Sequence, residues 1–126
     1  MNQRVLMSMW MAANQIAIVT VLIVVNWRAA TGRLKRNQWT GIRTPSTMRS
    51  DQAWVAGHRA ALRLTPLCVF TTAISLLALL VAALWASFGV TMIVGAVGLF
   101  AFLPLALYSA LVAGKAAKQA ENPENR

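Results

Sequence analysis

Two long stretches without Asp, Glu, Lys, Arg or His constrain this chain more than any other feature. No Asp, Glu, Lys, Arg or His occurs from Val5 to Trp27 or from Leu64 to Gly114. A helix needs about 20 predominantly apolar residues to cross the hydrocarbon of a bilayer. The first stretch therefore fits one span, and the second is long enough for two spans and a turn. We expect an all-α integral membrane protein with three transmembrane helices, and the alternative of a soluble helical bundle is disfavoured.

The same reasoning divides the chain into spans and connecting segments. We expect one membrane domain over residues 1–126. It comprises spans at about 5–27, 66–87 and 90–114, a basic, partly helical segment at 28–63 and a short tail at 115–126. Thr65 is expected to act as the N-cap of the second span, with Pro66 at its first helical position. Gly89 is expected to break the pattern in a tight turn, and Pro104 to bend the third span.

Basic residues are concentrated between the first two spans. Asp51 is the only acid there, and the basic residues are Arg28, Arg33, Lys35, Arg36, Arg43, Arg49, Arg59 and Arg63. Positively charged short loops stay on the cytoplasmic side of a membrane. We therefore expect a multi-pass plasma membrane protein with its N-terminus outside and both the 28–63 segment and the C-terminus in the cytoplasm. The same orientation accounts for the net charge of +9, so we do not expect a nucleic-acid partner.

Two features within the spans bear on packing. Asn14 and Gln15 place polar amides near the middle of the first span, where we expect them either to face another helix or a cavity, or to hydrogen-bond within their own bundle. Small residues recur at every fourth position, as Ala78, Ala82 and Ala86 and as Ala106, Ala110 and Gly114. Such rows let helices approach closely, so they are candidate contacts within the chain, in a homo-oligomer or with other subunits.

The 28–63 segment contains its own helix signals. Ser50 is a candidate N-cap, with Asp51 in the favourable first turn. At about 100° per residue, one face collects Asp51, Trp54, Val55, His58, Ala61 and Leu62, and the opposite face collects Arg49, Gln52, Ala56, Arg59 and Arg63. This pattern predicts an amphipathic helix that lies along the membrane surface or folds under the bundle. Its basic face is suited to anionic lipid headgroups.

His58 has two interpretations. It is either a pH-responsive or ligand-contacting histidine, or a packed histidine satisfied by a backbone carbonyl. One His and one Cys cannot form a zinc cluster, and the sequence contains no GxSxG, P-loop or HExxH pattern. We therefore expect no catalytic residues, no metal site and no cofactor, and we do not expect an enzyme.

The polar segment also carries a recognisable motif. Its residues are Asn37, Gly41, Ile42, Arg43, Thr44, Pro45, Thr47, Met48, Trp54, His58 and Arg59. In identity and spacing they resemble the signature of the SdpI family of bacterial membrane proteins. Ser46 departs from the family pattern, which often has tryptophan there. The chain also lacks the additional spans that the best-known members carry before this region.

The resemblance implies protection against a secreted peptide toxin, with signalling through a cytosolic regulator held at the membrane. It also implies a ligand- or partner-binding role for Asn37, Gly41, Ile42, Arg43, Thr44, Pro45, Trp54, His58 and Arg59. Two other functions stay open: a structural accessory subunit of a larger membrane complex, and a small oligomeric transporter.

Overall fold

The computed structural model describes residues 2–122 of the chain, and every regular element in that range is helical. The five helices are α1 (Gln3–Ala30), α2 (Asp51–Leu62), α3 (Thr65–Trp85), α4 (Phe88–Phe100) and α5 (Phe102–Ala120). Three stretches are long and apolar enough to cross a membrane: α1, α3, and α4 together with α5. The predicted all-α fold with three membrane-spanning helices is confirmed.

The surface of these spans is apolar. Phe70 and Leu77 on α3, Ile93 on α4 and Leu107 on α5 each expose 62 to 69% of their surface. In water such exposure would be unfavourable by about 25 cal/mol for each Å² of apolar area. In a bilayer the same side chains lie among lipid tails at no such cost, which is why spans can carry apolar residues on all faces.

The turn between the second and third spans differs from the expectation. It lies at Ala86 and Ser87, and the Ser87 hydroxyl accepts the N–H of Val90 at 3.4 Å as the N-cap of α4. Gly89, predicted to form the turn, lies inside α4 instead. The serine determines the start because its side chain satisfies an N–H that the first helical turn leaves free.

The third span is interrupted where the sequence predicted a bend. α4 ends at Phe100, and α5 begins at Phe102 after the single residue Ala101. Pro104 has no N–H to donate to the carbonyl four residues earlier, and its ring crowds that carbonyl. The helix therefore breaks about one turn before the proline.

The chain divides into two compact units. The first unit comprises Met1–Thr20 and Pro66–Pro104, and the second comprises Val21–Thr65 and Leu105–Arg126. In the first unit, the guanidinium of Arg4 donates to the carbonyl of Ala86 at the end of α3. A cation at that position stabilises the negative end of the helix dipole.

Three residues of the first unit form a buried polar cluster inside the spans. Gln15 is completely buried, and neither its amide nitrogen nor its amide oxygen has a hydrogen-bond partner among residues 2–122. The buried hydroxyl oxygen of Ser75 likewise has no partner in that range. Gly98 lies against both side chains, and a Cβ there would come within 2.7 Å of Gln15 Nε2 and closer still to Ser75 Oγ. Asn14, by contrast, is half-buried and donates to the carbonyl of Trp10 at 2.8 Å.

The small-residue rows are only partly buried. In α3 Ala82 is buried, whereas Ala78 is exposed. In α5 the fully buried alanines are Ala113 and Ala117. The predicted α5 row was therefore offset from the seam that packs, because spacing alone cannot say which of several alanine rows faces a neighbour.

Candidate functional site

The predicted amphipathic helix of the polar segment is α2. Ser50 caps it, accepting the N–H of Ala53 at 3.0 Å, and Asp51 occupies its first turn. Its buried residues are Ala53, Trp54, Gly57, His58 and Ala61. The arginines predicted on its opposite face are exposed. Asp51, which the helical wheel placed on the apolar face, is exposed at the helix start and pairs with Arg36 at 3.5 Å.

A tight turn precedes α2 and is held by two threonines. The fully buried hydroxyl of Thr47 accepts the backbone N–H of Thr44 at 2.9 Å and donates to the carbonyl of Ile42 at 2.7 Å. The N–H of Thr47 in turn donates to the Thr44 hydroxyl at 3.2 Å. Pro45 follows Thr44 at the start of the turn, where its fixed φ favours a helical conformation. The Thr-Pro pair thus sets the path of the chain between Ile42 and α2.

His58 joins this turn to α2. It is completely buried; its Nε2 accepts the backbone N–H of Ile42 at 2.9 Å, and its Nδ1 lies 2.8 Å from the carbonyl oxygen of Trp54. The tautomer that satisfies both contacts carries its proton on Nδ1. Burial lowers the pKa of His58, and the hydrogen bond to Trp54 opposes that shift only in part. The predicted contact with a backbone carbonyl is present, and the contact with Ile42 had no signal in the sequence.

Trp54 packs beside His58, and we call the buried group of Gly41, Thr47, Trp54 and His58 the motif cluster. It exposes 1% of its surface, its indole N–H donates to the carbonyl of Leu34 at 2.9 Å, and its ring centroid lies 4.1 Å from that of His58. Gly41 lies directly against both rings with φ +106°, and a Cβ there would come within 2.7 Å of His58 Nε2 and of Trp54 Cη2. Only glycine combines that backbone conformation with that approach.

The cluster also packs on α5 within the second unit. A Cβ added to Gly57 would lie 2.7 Å from Thr47 Cγ2 and 3.1 Å from the carbonyl oxygen of Ala113. Gly57 therefore allows α2 to approach both the turn and α5 closely. The result is one packed body in which the turn, α2 and part of α5 support one another.

The remaining predicted site residues lie outside this buried cluster. Asn37 closes a local turn, because its side-chain oxygen accepts the N–H groups of Trp39 and Thr40 at 2.9 and 2.8 Å. Arg43 is exposed and donates to the carbonyl of Gln38. Arg59 lies on the exposed face of α2 and donates to the carbonyl of Ala30, the last residue of α1, at 3.3 Å. It therefore satisfies a helix C-terminus as well as presenting charge.

Arg43 borders an open groove of about 410 Å³ in the second unit, which we call the motif groove. Its apolar wall comes from α1 and α5, through Val21, Leu22, Val25, Ala106 and Ala110. Its polar wall comes from Asn26 and from the segment Trp39, Thr40, Gly41, Ile42, Arg43 and Thr44. The exposed side of the motif therefore forms part of a concave surface, while its buried side packs around Thr47, Trp54 and His58.

The charges near this surface are mostly basic. Of the three acids in the sequence, Asp51 pairs with Arg36, and Glu121 lies 3.8 Å from Arg49. None of the residues that line the motif groove is acidic. Residues 2–122 contain no group of three or more His, Cys, Asp or Glu that could hold a metal ion.

Sequence reasoning underrated two positions. Thr47 was part of the motif but not of the predicted binding set, although its hydroxyl is the centre of the turn. Asn26 lines the motif groove from α1 and had no sequence signal beyond being polar near the end of a span. Its role as a lining residue depends on the tertiary structure, which brings the motif segment beside α1.

The comparisons with known proteins agree with the motif. The model of the SdpI/YfhL protein family matches residues 33–109, more than half of the chain and including the whole motif. No curated protein and no solved structure matched. The chain belongs to the SdpI/YfhL protein family and is a multi-pass membrane protein.

Proposed function

We propose that this SdpI-family membrane protein protects the cell against a secreted peptide toxin, relays the presence of that toxin to a cytosolic regulator, or does both. In this proposal the motif segment lies in the cytoplasm and is the surface on which the regulator docks. The observation that carries the proposal is that the motif has a buried part and an exposed part. His58, Trp54 and Thr47 are buried and hold the segment together, while Arg43 remains exposed.

The rigidity of the segment supports a docking role. A surface loop that is ordered before binding loses less conformational entropy when a partner arrives, and each ordered side chain saves about 0.5–1.5 kcal/mol. The hydrogen bonds of His58 and Thr47 to Ile42 provide that order next to Arg43. Trp39, which exposes 90% of its surface, adds an apolar contact beside the cation. Aromatic and arginine side chains are the residue types that dominate protein interfaces.

The distribution of charge supports the orientation. The segment between α1 and α3 carries seven basic residues and one acid, and an eighth basic residue, Arg28, lies in the last turn of α1. Moving a basic side chain to the centre of a bilayer costs about 2.5–3.5 kcal/mol on insertion scales. With the N-terminus outside, the segment stays in the cytoplasm, and none of its basic residues has to be carried across the bilayer.

A toxin-sensitivity assay tests the proposal. Cells that lack the gene are complemented with the wild type, Trp54→Ala or Trp85→Ala, and exposed to culture supernatants that contain secreted peptide toxins. Trp54→Ala removes the buried anchor of the motif. Trp85→Ala removes a tryptophan of α3 that exposes 79% of its surface, and serves as the matched control. Equal membrane abundance of the three proteins is checked by immunoblot.

We expect the wild type and Trp85→Ala to protect the cells, and Trp54→Ala to lose protection. Capture of a cytosolic protein by the wild type but not by Trp54→Ala, only after exposure to the peptide, would identify the regulatory branch. If neither protection nor capture distinguishes the wild type from an empty vector, the proposal is wrong and an accessory-subunit role becomes the next hypothesis.

A further inference from the structure

We propose that the motif groove binds one anionic phospholipid, with its phosphate at Arg43 and an acyl chain along the apolar wall formed by α1 and α5. The proposal concerns the same surface as the proposed function, but it does not require a toxin or a regulator.

The two walls of the groove match the two halves of a phospholipid. Val21 and Val25 on one side and Ala106 and Ala110 on the other offer only hydrocarbon. Thr40 to Thr44 offer hydroxyl groups, backbone groups and one cation. The volume of about 410 Å³ is in the range of sites that hold small molecules, roughly 300–1,000 Å³.

The guanidinium of Arg43 has N–H donors available for a phosphate. Its one side-chain hydrogen bond within residues 2–122 goes from Nη1 to the carbonyl of Gln38. A guanidinium has five N–H donors in a planar fork that fits phosphate oxygens. The backbone N–H groups of Gly41 and Arg43 likewise donate to no atom in the described range, whereas that of Ile42 between them is committed to His58. A phosphate at this position can therefore receive both guanidinium and backbone hydrogen bonds.

Charge favours an anion over a zwitterion. Asp51 and Glu121 are paired with arginines elsewhere in the second unit, and neither lines the groove. A phospholipid with a net negative charge therefore meets a cation without a competing carboxylate. A choline headgroup would place its own cation near Arg43 and lose part of that attraction.

The position of the apolar wall identifies the source of the anion. Val21 to Val25 belong to the uncharged stretch of α1 that ends before Arg28, and Ala106 and Ala110 precede Lys115 in α5. Both are parts of membrane-spanning helices. The wall therefore opens towards lipid tails, and a free phosphate would leave it unused.

Native mass spectrometry of the protein, released from nanodiscs with equal phosphatidylglycerol and phosphatidylcholine, measures this binding. We expect one phosphatidylglycerol to stay bound to the wild type in preference to phosphatidylcholine. Arg43→Gln should lower its retention about tenfold, since a hydrogen bond to a charged group is typically worth enough for that change. Arg63→Gln removes another exposed arginine of the second unit, outside the groove, and should retain the lipid as the wild type does.

Ala110→Leu provides an independent arm, because it fills the apolar wall and leaves Arg43 in place. It should lower phosphatidylglycerol retention without a change at the cation. A third arm adds inorganic phosphate at millimolar concentration to the nanodiscs, and we expect it not to displace the lipid.

Several outcomes would overturn the proposal. These are equal retention of the two lipids by the wild type, equal loss in Arg43→Gln and Arg63→Gln, unchanged retention in Ala110→Leu, or displacement by free phosphate. The measurement reads lipid occupancy and not protection, so its failure and the failure of the proposed function are separate results.

Discussion

The Nε2 atom of His58 accepts the backbone N–H of Ile42 at 2.9 Å, across 16 residues of sequence. The same ring contacts the carbonyl oxygen of Trp54 through Nδ1 at 2.8 Å. Only the neutral imidazole satisfies both contacts, because protonation of Nε2 would set a donor against the N–H of Ile42. This histidine therefore ties the order of the motif segment to its protonation state.

The first prediction is that the motif segment loses stability as pH falls. Burial lowers the pKa of His58 below its ordinary value of 6.5 in the folded segment, so the unfolded segment binds the proton at a higher pH than the folded one. The contribution of His58 to the free energy of unfolding is fully present above about pH 6.5. It falls by up to about 1.4 kcal/mol per pH unit below that pH and levels off below the lower pKa of the folded segment. Limited proteolysis of reconstituted protein between about pH 5 and 8 measures this.

His58→Gln is the control for the pH experiment. Its side-chain oxygen keeps an acceptor near the N–H of Ile42 but does not titrate in this range. We expect its cleavage between residues 41 and 63 to vary with pH only as the protease itself does. An identical pH profile in wild type and His58→Gln would contradict the role of His58.

The second prediction separates backbone strain from close packing at two glycines. Both have positive φ, +73° at Gly32 and +106° at Gly41, which is unfavourable for an L-residue; near the left-handed helical region of Gly32 the cost is roughly 1–2 kcal/mol. A Cβ at Gly32 meets nothing within 4 Å, whereas one at Gly41 collides with His58 and Trp54. Gly41→Ala should therefore lower the melting temperature in nanodiscs clearly more than Gly32→Ala. If the two variants lowered the melting temperature equally, the residues around Gly41 would not be closely packed, and the prediction would be wrong.

The third prediction concerns the packing of α2 on α5. Replacing glycine by alanine inside a helix usually stabilises it by about 1 kcal/mol. Gly89→Ala in α4, where a Cβ meets nothing within 4 Å, should follow that rule. Gly57→Ala should reverse it and cost about 1–3 kcal/mol, because its Cβ would overlap Thr47 and crowd the carbonyl of Ala113. Stabilisation of both variants in thermal melts would show that α2 is not closely packed.

The fourth prediction tests the polar cluster within the spans. Gly98→Ala should destabilise the first unit by about 1–3 kcal/mol, since the new methyl group overlaps Ser75 Oγ and crowds Gln15 Nε2. Ser75→Ala removes a buried hydroxyl that has no partner among residues 2–122 and should be tolerated. The double variant should recover part of the loss. If the effects of Gly98→Ala and Ser75→Ala on the free energy of unfolding simply add, positions 75 and 98 are not in the contact that the structure shows.

The fifth prediction is the orientation in the membrane. Single cysteines are introduced as Asn2→Cys and Thr40→Cys in a Cys68→Ala background. A membrane-impermeant maleimide added to intact cells should label position 2 and not position 40, because the seven basic residues between α1 and α3 oppose translocation of that segment. Both positions should react after the cells are opened. Labelling of position 40 in intact cells would reverse the proposed topology.

Features that depend only on residues close together in the sequence could be predicted from the sequence alone. The absence of charge over Val5 to Trp27 and Leu64 to Gly114 determined the spans, because a bilayer rejects charge regardless of tertiary contacts. Ser50 determined the start of α2, because an N-cap satisfies N–H groups within its own first turn. The spacing of Trp54, His58 and Ala61 determined their shared face, since it follows from 3.6 residues per turn.

Only the tertiary structure decided which distant groups meet. Nothing local indicates that His58 takes its second hydrogen bond from Ile42, that Trp54 donates to Leu34, or that Ala113 rather than Ala110 lies in the buried seam. A helical pattern fixes the direction of a side chain, but several turns of α5 offer equivalent small residues. The choice among them depends on close packing between segments far apart in sequence, here permitted by glycines at 41 and 57, where a single Cβ would exclude the observed arrangement.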